Sequence, residues 1–449
     1  MKKNYLLPLL AILLLCCGLL TACQSSSDDS PAARPDTDVT DMGDPSVAPP
    51  ASDTTIPAIH IRTQGGADIP DTKEKVNCRV DLVSADKDQC AQNLIATVRT
   101  RGNGTMYIGK KTGKFPYKLK FDEKINPFDT GDGKEKDWVL LANVGEATML
   151  RDYAAKFMAD LMGRFPYCPN AKPVNLYING EYVGVYCLTE QVEAKDSRVP
   201  INDALKGDTN GFLVELDAYA GRTETENSFQ VRDNFFAVQS NVFSDTQLQY
   251  IKSYITEVDN AIYAGDRDAL DALVDMDSLV DMYLLQEYAK NTDVGFSSFY
   301  MYRDVQGKLF FAPPWDFDLS FGNDKRLDNG SEQGLYVAEG REELVQSSLW
   351  YMQLMKHEWF YTLVTERWQT VSAEIVPQVI EEVRAQASIL APMMEYNYKR
   401  WHFLGKFIHQ EPDAIVALTT YKEHVDYLIR WMENRRLWLD SEFQKPFSS

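Results

Sequence analysis

Between Asn291 and Asn323 the chain reads NTDVGFSSFYMYRDVQGKLFFAPPWDFDLSFGN. A lone aspartate, Asp293, ends a helical pattern; an alternating hairpin follows, and Asp316 and Asp318 flank Phe317 near its end. Phosphoryl transfer needs one carboxylate near the attacking hydroxyl and another on the metal that carries the nucleotide phosphates. A hairpin returns the chain to where it left, which predicts that Asp293 and Asp316 share one small region. Two apart in an extended segment, Asp316 and Asp318 lie on one face and offer hard oxygen ligands suited to Mg²⁺ or Mn²⁺. Phe317 then points the opposite way, into the core. Taken singly, Asp293 reads as a helix-terminating turn residue, and the pair as capping aspartates before a Gly-Asn loop. The rigid Pro313-Pro314-Trp315 lead-in favours the ligand reading.

The elements that must position these residues follow from periodicity. Residues 56 to 145 alternate in short runs such as AIHIRT, LIATVRT, YKLKF and DWVLL between Gly, Asp and Asn turns, a strand pattern. Residues 148–162 carry apolar side chains at helical spacing, with Gly163 placed to end the helix. VNLYI-NG-EYVGVYCLTE is a hairpin by its Asn179-Gly180 turn, and GFLVELD (211–217) reads as a buried strand. Residues 247–264 and 267–290 are helical, with Asp277 and Asp281 expected on the outer face, and 343 to 440 is mainly helical. The expectation is an α+β protein: a β-rich lobe over 56–245, a helical lobe over 246–449, and a cleft between them.

Phosphates also need cations. Arg101-Gly102-Asn103-Gly104 forms a turn whose backbone N–H groups could approach phosphate, although such a motif is commonly just a hairpin turn. Lys114, Lys118 and Lys120 lie on or beside the next strand, the last two on one face; one of them should reach the α/β-phosphates. Glu190, closing the strand that contains Cys187, is the acid expected to pair with that lysine. Arg151, on the helix, reads equally as structural.

Several of these segments together, RGNGT, KFPYKLKF, VNLYINGEYVGVYCLTEQVE, NTDVGFSSFYMYRD and PPWDFDLSFGN, resemble the CotH spore-coat kinase family over about residues 95–325. That resemblance implies a divergent protein-kinase-like two-lobed fold that moves the γ-phosphate of ATP to Ser or Thr of a secreted or surface protein. It implies Asp293 as catalytic base and Asp316 as metal ligand, with Asp318 assisting. Ordinary kinases place a metal-ligating asparagine five residues after the base; here Ser298 stands there, a weaker ligand. That departure, together with the scarcity of ATP outside the cytosol, keeps open a catalytically inactive adhesin or scaffold. Attachment of another group, such as a nucleotide or an amino acid, is a third reading.

The N-terminus sets the expected compartment. MKKNYLLPLLAILLLCCGLLTAC has the lysines, apolar run and small residues of a signal peptide over residues 1–22, too short for a spanning helix. Leu20-Thr21-Ala22-Cys23 resembles a bacterial lipobox, which implies acylated Cys23 as membrane anchor; Gln24 after it points to the outer membrane. Residues 23–55, rich in Ser, Asp, Pro and Ala, read as a disordered tether. A net charge of −20 argues against nucleic acid as a partner. Of seven cysteines, Cys78, Cys90, Cys168 and Cys187 remain after the signal and anchor. An even number in an exported protein suggests the disulfides Cys78–Cys90 and Cys168–Cys187. The five histidines show no zinc-ligand spacing.

Overall fold

A computed structural model describes residues 43–202, 205–221, 227–340 and 350–448. The expected signal peptide, acylated Cys23 and most of the tether lie outside the described residues. Residues 43–55, expected to be tether, are turns seated on the protein: Asp44 N donates to Lys399 O at 2.9 Å and Pro49 is buried. No described helix is long and apolar enough to cross a membrane.

The first half forms a closed barrel. Its strands are β1 (Ala58–Thr63), β2 (Val76–Val83), β3 (Ala91–Thr100), β4 (Tyr117–Ile125), β5 (Glu135–Leu141), β6 (Ala171–Ile178) and β7 (Glu181–Glu190). Neighbours pair antiparallel in the order β1-β2-β3-β4-β5-β7-β6, and parallel pairing of β1 with β6 closes the ring. Closure leaves no free sheet edge. Period-two alternation fills the interior with Ile61, Val80, Leu119, Trp138 and Leu188, all fully buried. The β6–β7 turn has Asn179 at φ 52° and Gly180 at φ 90°, the left-handed pair that an Asn-Gly hairpin uses. Two helices interrupt the barrel: α1 (Gly104–Thr112) and α2 (Arg151–Met162), which Gly163 ends at φ 71°.

The remainder is helical around a second sheet. Strands β8 (Phe212–Leu216), β9 (Ser228–Val231) and β10 (Asn234–Val238) precede helices α3 (Asp245–Ala264), α4 (Arg267–Leu273) and α5 (Met276–Ala289). The expected hairpin is β11 (Phe299–Arg303) with a two-residue β12 (Leu309–Phe310); α6 (Trp350–Leu354), α7 (Glu358–Thr370), α8 (Val376–Arg400), α9 (Asp413–Val416) and α10 (Tyr421–Glu442) follow. The sheet order β12-β11-β8-β10-β9 uses strands from both sides of residue 245. Helix α5 is enclosed on every side from Ser278 onward. Asp281 is therefore not on an outer face: it is fully buried and receives Arg367 Nε at 2.8 Å and Nη2 at 2.9 Å. The result is a mixed α+β protein, β-rich first and helical second.

The cysteine expectation is corrected. Cys78, Cys90, Cys168 and Cys187 are all free thiols. Register explains the first pair: Leu82 faces Ala91, so Cys90 lies beside Val83, five residues along the strand from Cys78. Five residues of strand span roughly 17 Å, far beyond disulfide reach. Likewise Pro173 faces Cys187 and Ala171 faces Thr189, so the chain carries Cys168 away from its supposed partner. Burial pushes the Cys78 and Cys187 thiols up to about 12. Alkylation of unreduced, denatured protein followed by peptide mass mapping should modify all four; persistent protection of either pair would contradict this arrangement.

Candidate active site

The turn that bears Asp293 is tied directly to the loop that bears Asp316. Helix α5 ends with Lys290 at φ 51°, and Asn291 then caps a short turn, its Oδ1 accepting from Asp293 N at 3.2 Å. The Asn291 Nδ2 donates to Asp316 O at 3.1 Å. Downstream, Ser298 and Asp316 both adopt left-handed backbone (φ 62° and 69°), and Ser298 Oγ donates to Asp316 Oδ2 at 3.1 Å. Non-glycine residues held there carry strain of order 1–3 kcal/mol, which marks a local structure imposed by its surroundings. Phe317 is fully buried, as expected, and its N–H donates to Asp152 Oδ1 on α2 at 3.3 Å.

These elements line a cavity of about 640 Å³. Asp293, Asp316, Asp318 and Ser298 face it from the helical side, with Glu215 from β8 and Asp217 just after it, Asp152 from α2, and Arg101 with Gly102–Thr105 from the barrel side. So much acid in one enclosure raises its own proton affinity. Burial first, then the Asp316 charge, lifts Asp293 to about 7. Burial and the Asp152 charge raise Asp316, while burial followed by Asp316 and Asp293 raises Asp318 well above the ordinary range. Glu215 also rises to about 7, chiefly by burial and the Asp217 charge. The cluster is built to be neutralised.

Cationic partners differ from expectation. Lys114 is enclosed at the junction of barrel and α8, donating to Val185 O at 2.9 Å, Ala142 O at 3.0 Å and Asn397 Oδ1 at 3.4 Å. Burial brings its pKa down to about 7. All three of its N–H donors are engaged, and it does not line the cavity. Lys118 points outward from the barrel because Leu119 points in, and it pairs with Asp137 at 2.8 Å; Lys120 pairs with the same carboxylate at 3.5 Å. Glu190 ends β7 opposite Trp138 in the middle of β5 and does not line the cavity; it is 3.6 Å from Arg198 and accepts from Asn170 N at 3.0 Å. None of the three lysines pairs with it. Arg151 is structural, locked in a buried pair with Glu146 at 2.6 Å.

Residues that motif reading passed over do stand at the site. Lys156 on α2 is buried, 2.6 Å from Asp152 and 4.5 Å above the Trp315 ring, and its charge lowers Asp316's proton affinity. Arg326 lines the cavity and likewise opposes the rise in Asp293. An acid and a lysine four apart on α2, and Glu215 within an apolar strand, were the available signals.

The donor chemistry fits a divalent cation. Asp316 and Asp318 supply hard oxygens from one loop and repel each other in its absence. Among the described residues no three acidic, His or Cys side chains already close on one point. Mg²⁺ usually takes only one or two carboxylates and completes its shell with water and phosphate, so two suffice. The start of α1 is where an anion could be held. Helix α1 begins at the cavity with no side chain capping its first turn, and its free N–H groups and positive dipole end face the space beside Arg101.

Gly102 makes that turn possible. It sits at φ 91°, and an added Cβ would lie on Thr105 Oγ1. Gly102→Ala should lower stability by about 1–2 kcal/mol, whereas Gly104→Ala, with nothing within 4 Å, should leave the melting temperature nearly unchanged. Thermal melts of the two variants compare them directly.

Fold and site together describe an α+β protein with an acidic, cation-demanding cleft. The family description "CotH kinase protein" matches residues 98–439, most of the chain. The chain belongs to the CotH kinase family. No curated protein matches it.

Proposed function

We propose that this chain is an envelope-anchored, extracytoplasmic kinase that moves the γ-phosphate of ATP to a Ser or Thr of a secreted or surface protein. The convergence of Asp293, Asp316 and Asp318 on one cavity, opposite Arg101 and the start of α1, carries this reading. The barrel and the helical body stand for the two lobes of a divergent kinase, with the acylated Cys23 as anchor in the outer membrane.

In this reading Asp293 orients the acceptor hydroxyl and takes its proton, a task suited to a group that titrates near pH 7. Asp316 and Asp318 would hold Mg²⁺ or Mn²⁺, which supplies neutralisation of phosphate charge. Arg101 and the α1 N–H groups bind phosphate oxygens in place of Lys114 and Lys118, while Lys156 holds Asp152 and, through it, the backbone at Phe317. Ser298 aligns Asp316 by hydrogen bond. Positioning and charge neutralisation are most of what this reaction class asks of a protein.

Incubation of the purified full chain with labelled ATP and Mn²⁺ or Mg²⁺ tests the reading. Wild type should transfer label to itself or a surface-protein extract, and Asp293→Asn should not; equal incorporation by both would refute the base assignment. Ser298 in place of a kinase asparagine favours a second reading, a kinase-derived adhesin. Melting temperature separates them, because a ligand of the native state raises it: no shift with millimolar ATP and Mn²⁺ selects the adhesin.

A further inference from the structure

We propose that Glu215 is a positioning residue that sets the aim of Asp316 through Ser298, an assignment that rests on the kinase reading of the cavity. Strand β8 lies between β10 and β11, and its register places Glu215 opposite Tyr300. The Glu215 carboxylate is 9% exposed and fully engaged. Oε1 accepts from Ser298 N at 2.9 Å, Oε2 accepts from Gln239 Nε2 at 2.7 Å, and the Tyr300 side chain adds a further hydrogen bond.

Ser298 holds a left-handed backbone conformation that L-residues disfavour. At φ 62° it gains nothing from local sterics, and the Glu215 acceptor rewards that conformation by capturing its N–H. The same Ser298 then donates Oγ to Asp316 Oδ2, on a residue itself at φ 69°. A continuous relay thus runs from Gln239 through Glu215 and Ser298 to Asp316, joining two strands of the sheet to the metal-side loop. Its function needs an acceptor oxygen at Glu215 rather than a negative charge. A direct ligand role for Glu215 would need the charge, so the two roles respond oppositely to amide substitution.

The test uses the full chain in detergent, with Mn²⁺ and ATP as probes, and reads the Mn²⁺ concentration for half-maximal thermal stabilisation and for half-maximal label transfer, alongside the KM of ATP. Glu215→Ala should raise the Mn²⁺ requirement at least tenfold in both readouts with little change in the KM of ATP. Glu215→Gln, which keeps an acceptor for Ser298 N, should stay within about threefold of wild type. Ser298→Ala should raise the requirement too, and the Glu215→Ala/Ser298→Ala double variant should be no worse than the poorer single, as expected of residues acting in series. An unchanged Glu215→Ala, a Glu215→Gln as impaired as the alanine variant, or additive losses would each overturn the relay. A wild type that responds to neither Mn²⁺ nor ATP would overturn the kinase reading itself. Should Glu215→Ala fail to fold, the Glu215→Gln and Ser298→Ala comparison decides alone.

Discussion

Asp318→Asn and Asp316→Asn should each make the metal-free protein more stable while, in the kinase reading proposed above, sharply lowering metal-dependent label transfer. Both carboxylates are raised in proton affinity by burial and by neighbouring acids, so their charged forms oppose folding. An amide keeps the shape and removes the repulsion. The expected gain is about 1–2 kcal/mol, typical of relieving a strained functional site. Loss of transfer should reach on the order of 10²–10³-fold, as for other preorganised electrostatic groups. The pH dependence has a definite sign. Groups whose folded pKa lies above the unfolded value bind more protons when folded, so stability falls as pH rises through that interval. Asp293 and Glu215, at about 7 in the fold, place that loss between roughly pH 4 and pH 7. Metal-free protein should therefore melt higher at pH 5 than at pH 8, and millimolar Mg²⁺ or Mn²⁺ should recover the difference at pH 8. Calorimetric scans at the two pH values check both statements; an Asp318→Asn variant less stable than wild type at pH 8 would show that the cluster is not repulsive.

Arg435→Met should cost about 3–5 kcal/mol, because it leaves a buried carboxylate without its counter-charge. Arg435 on α10 and Glu287 on α5 are both fully buried, 2.9 Å apart. The guanidinium also donates to the carbonyls of Glu287, Glu332 and Gly334, each at 2.8 Å. Glu287 in turn accepts from the backbone N–H groups of Tyr336, Val337 and Ala338. The damage should not stay local: Tyr336 OH donates to Thr292 O at 2.9 Å, one residue before Asp293. Urea unfolding gives the magnitude, and a loss below about 1 kcal/mol would mean that the pair is dispensable.

Local signals carried most of what the amino-acid sequence revealed. Asn179-Gly180 dictates its own turn, and the aspartates around Phe317 sit within one short motif, so hairpin and acidic cluster were both legible. Long-range closure was not. Alternation along YKLKF told which side chains share a face, but not that Asn397, on a helix 283 residues away, would come to rest on Lys114. The β1–β6 pairing that closes the barrel joins strands with no sequence signature of adjacency. Counting four cysteines suggested two bridges, whereas strand register separates the partners. Asp277 is exposed as the helix periodicity expects, but α5 is enclosed from Ser278 onward, so Asp281 one turn later is not.

The burial of Lys114 constrains how ligands enter and leave. Swinging the barrel away from α8 would break both ties to Asn397 Oδ1, from Lys114 Nζ at 3.4 Å and from Val185 N at 3.0 Å, while Ala142 O and Val185 O would travel with the amine. Hinged opening of the whole cleft is thereby resisted. In the kinase reading proposed above, ligand exchange would then rest on smaller excursions at the cavity mouth, around Gly102 to Thr105 of the α1 turn.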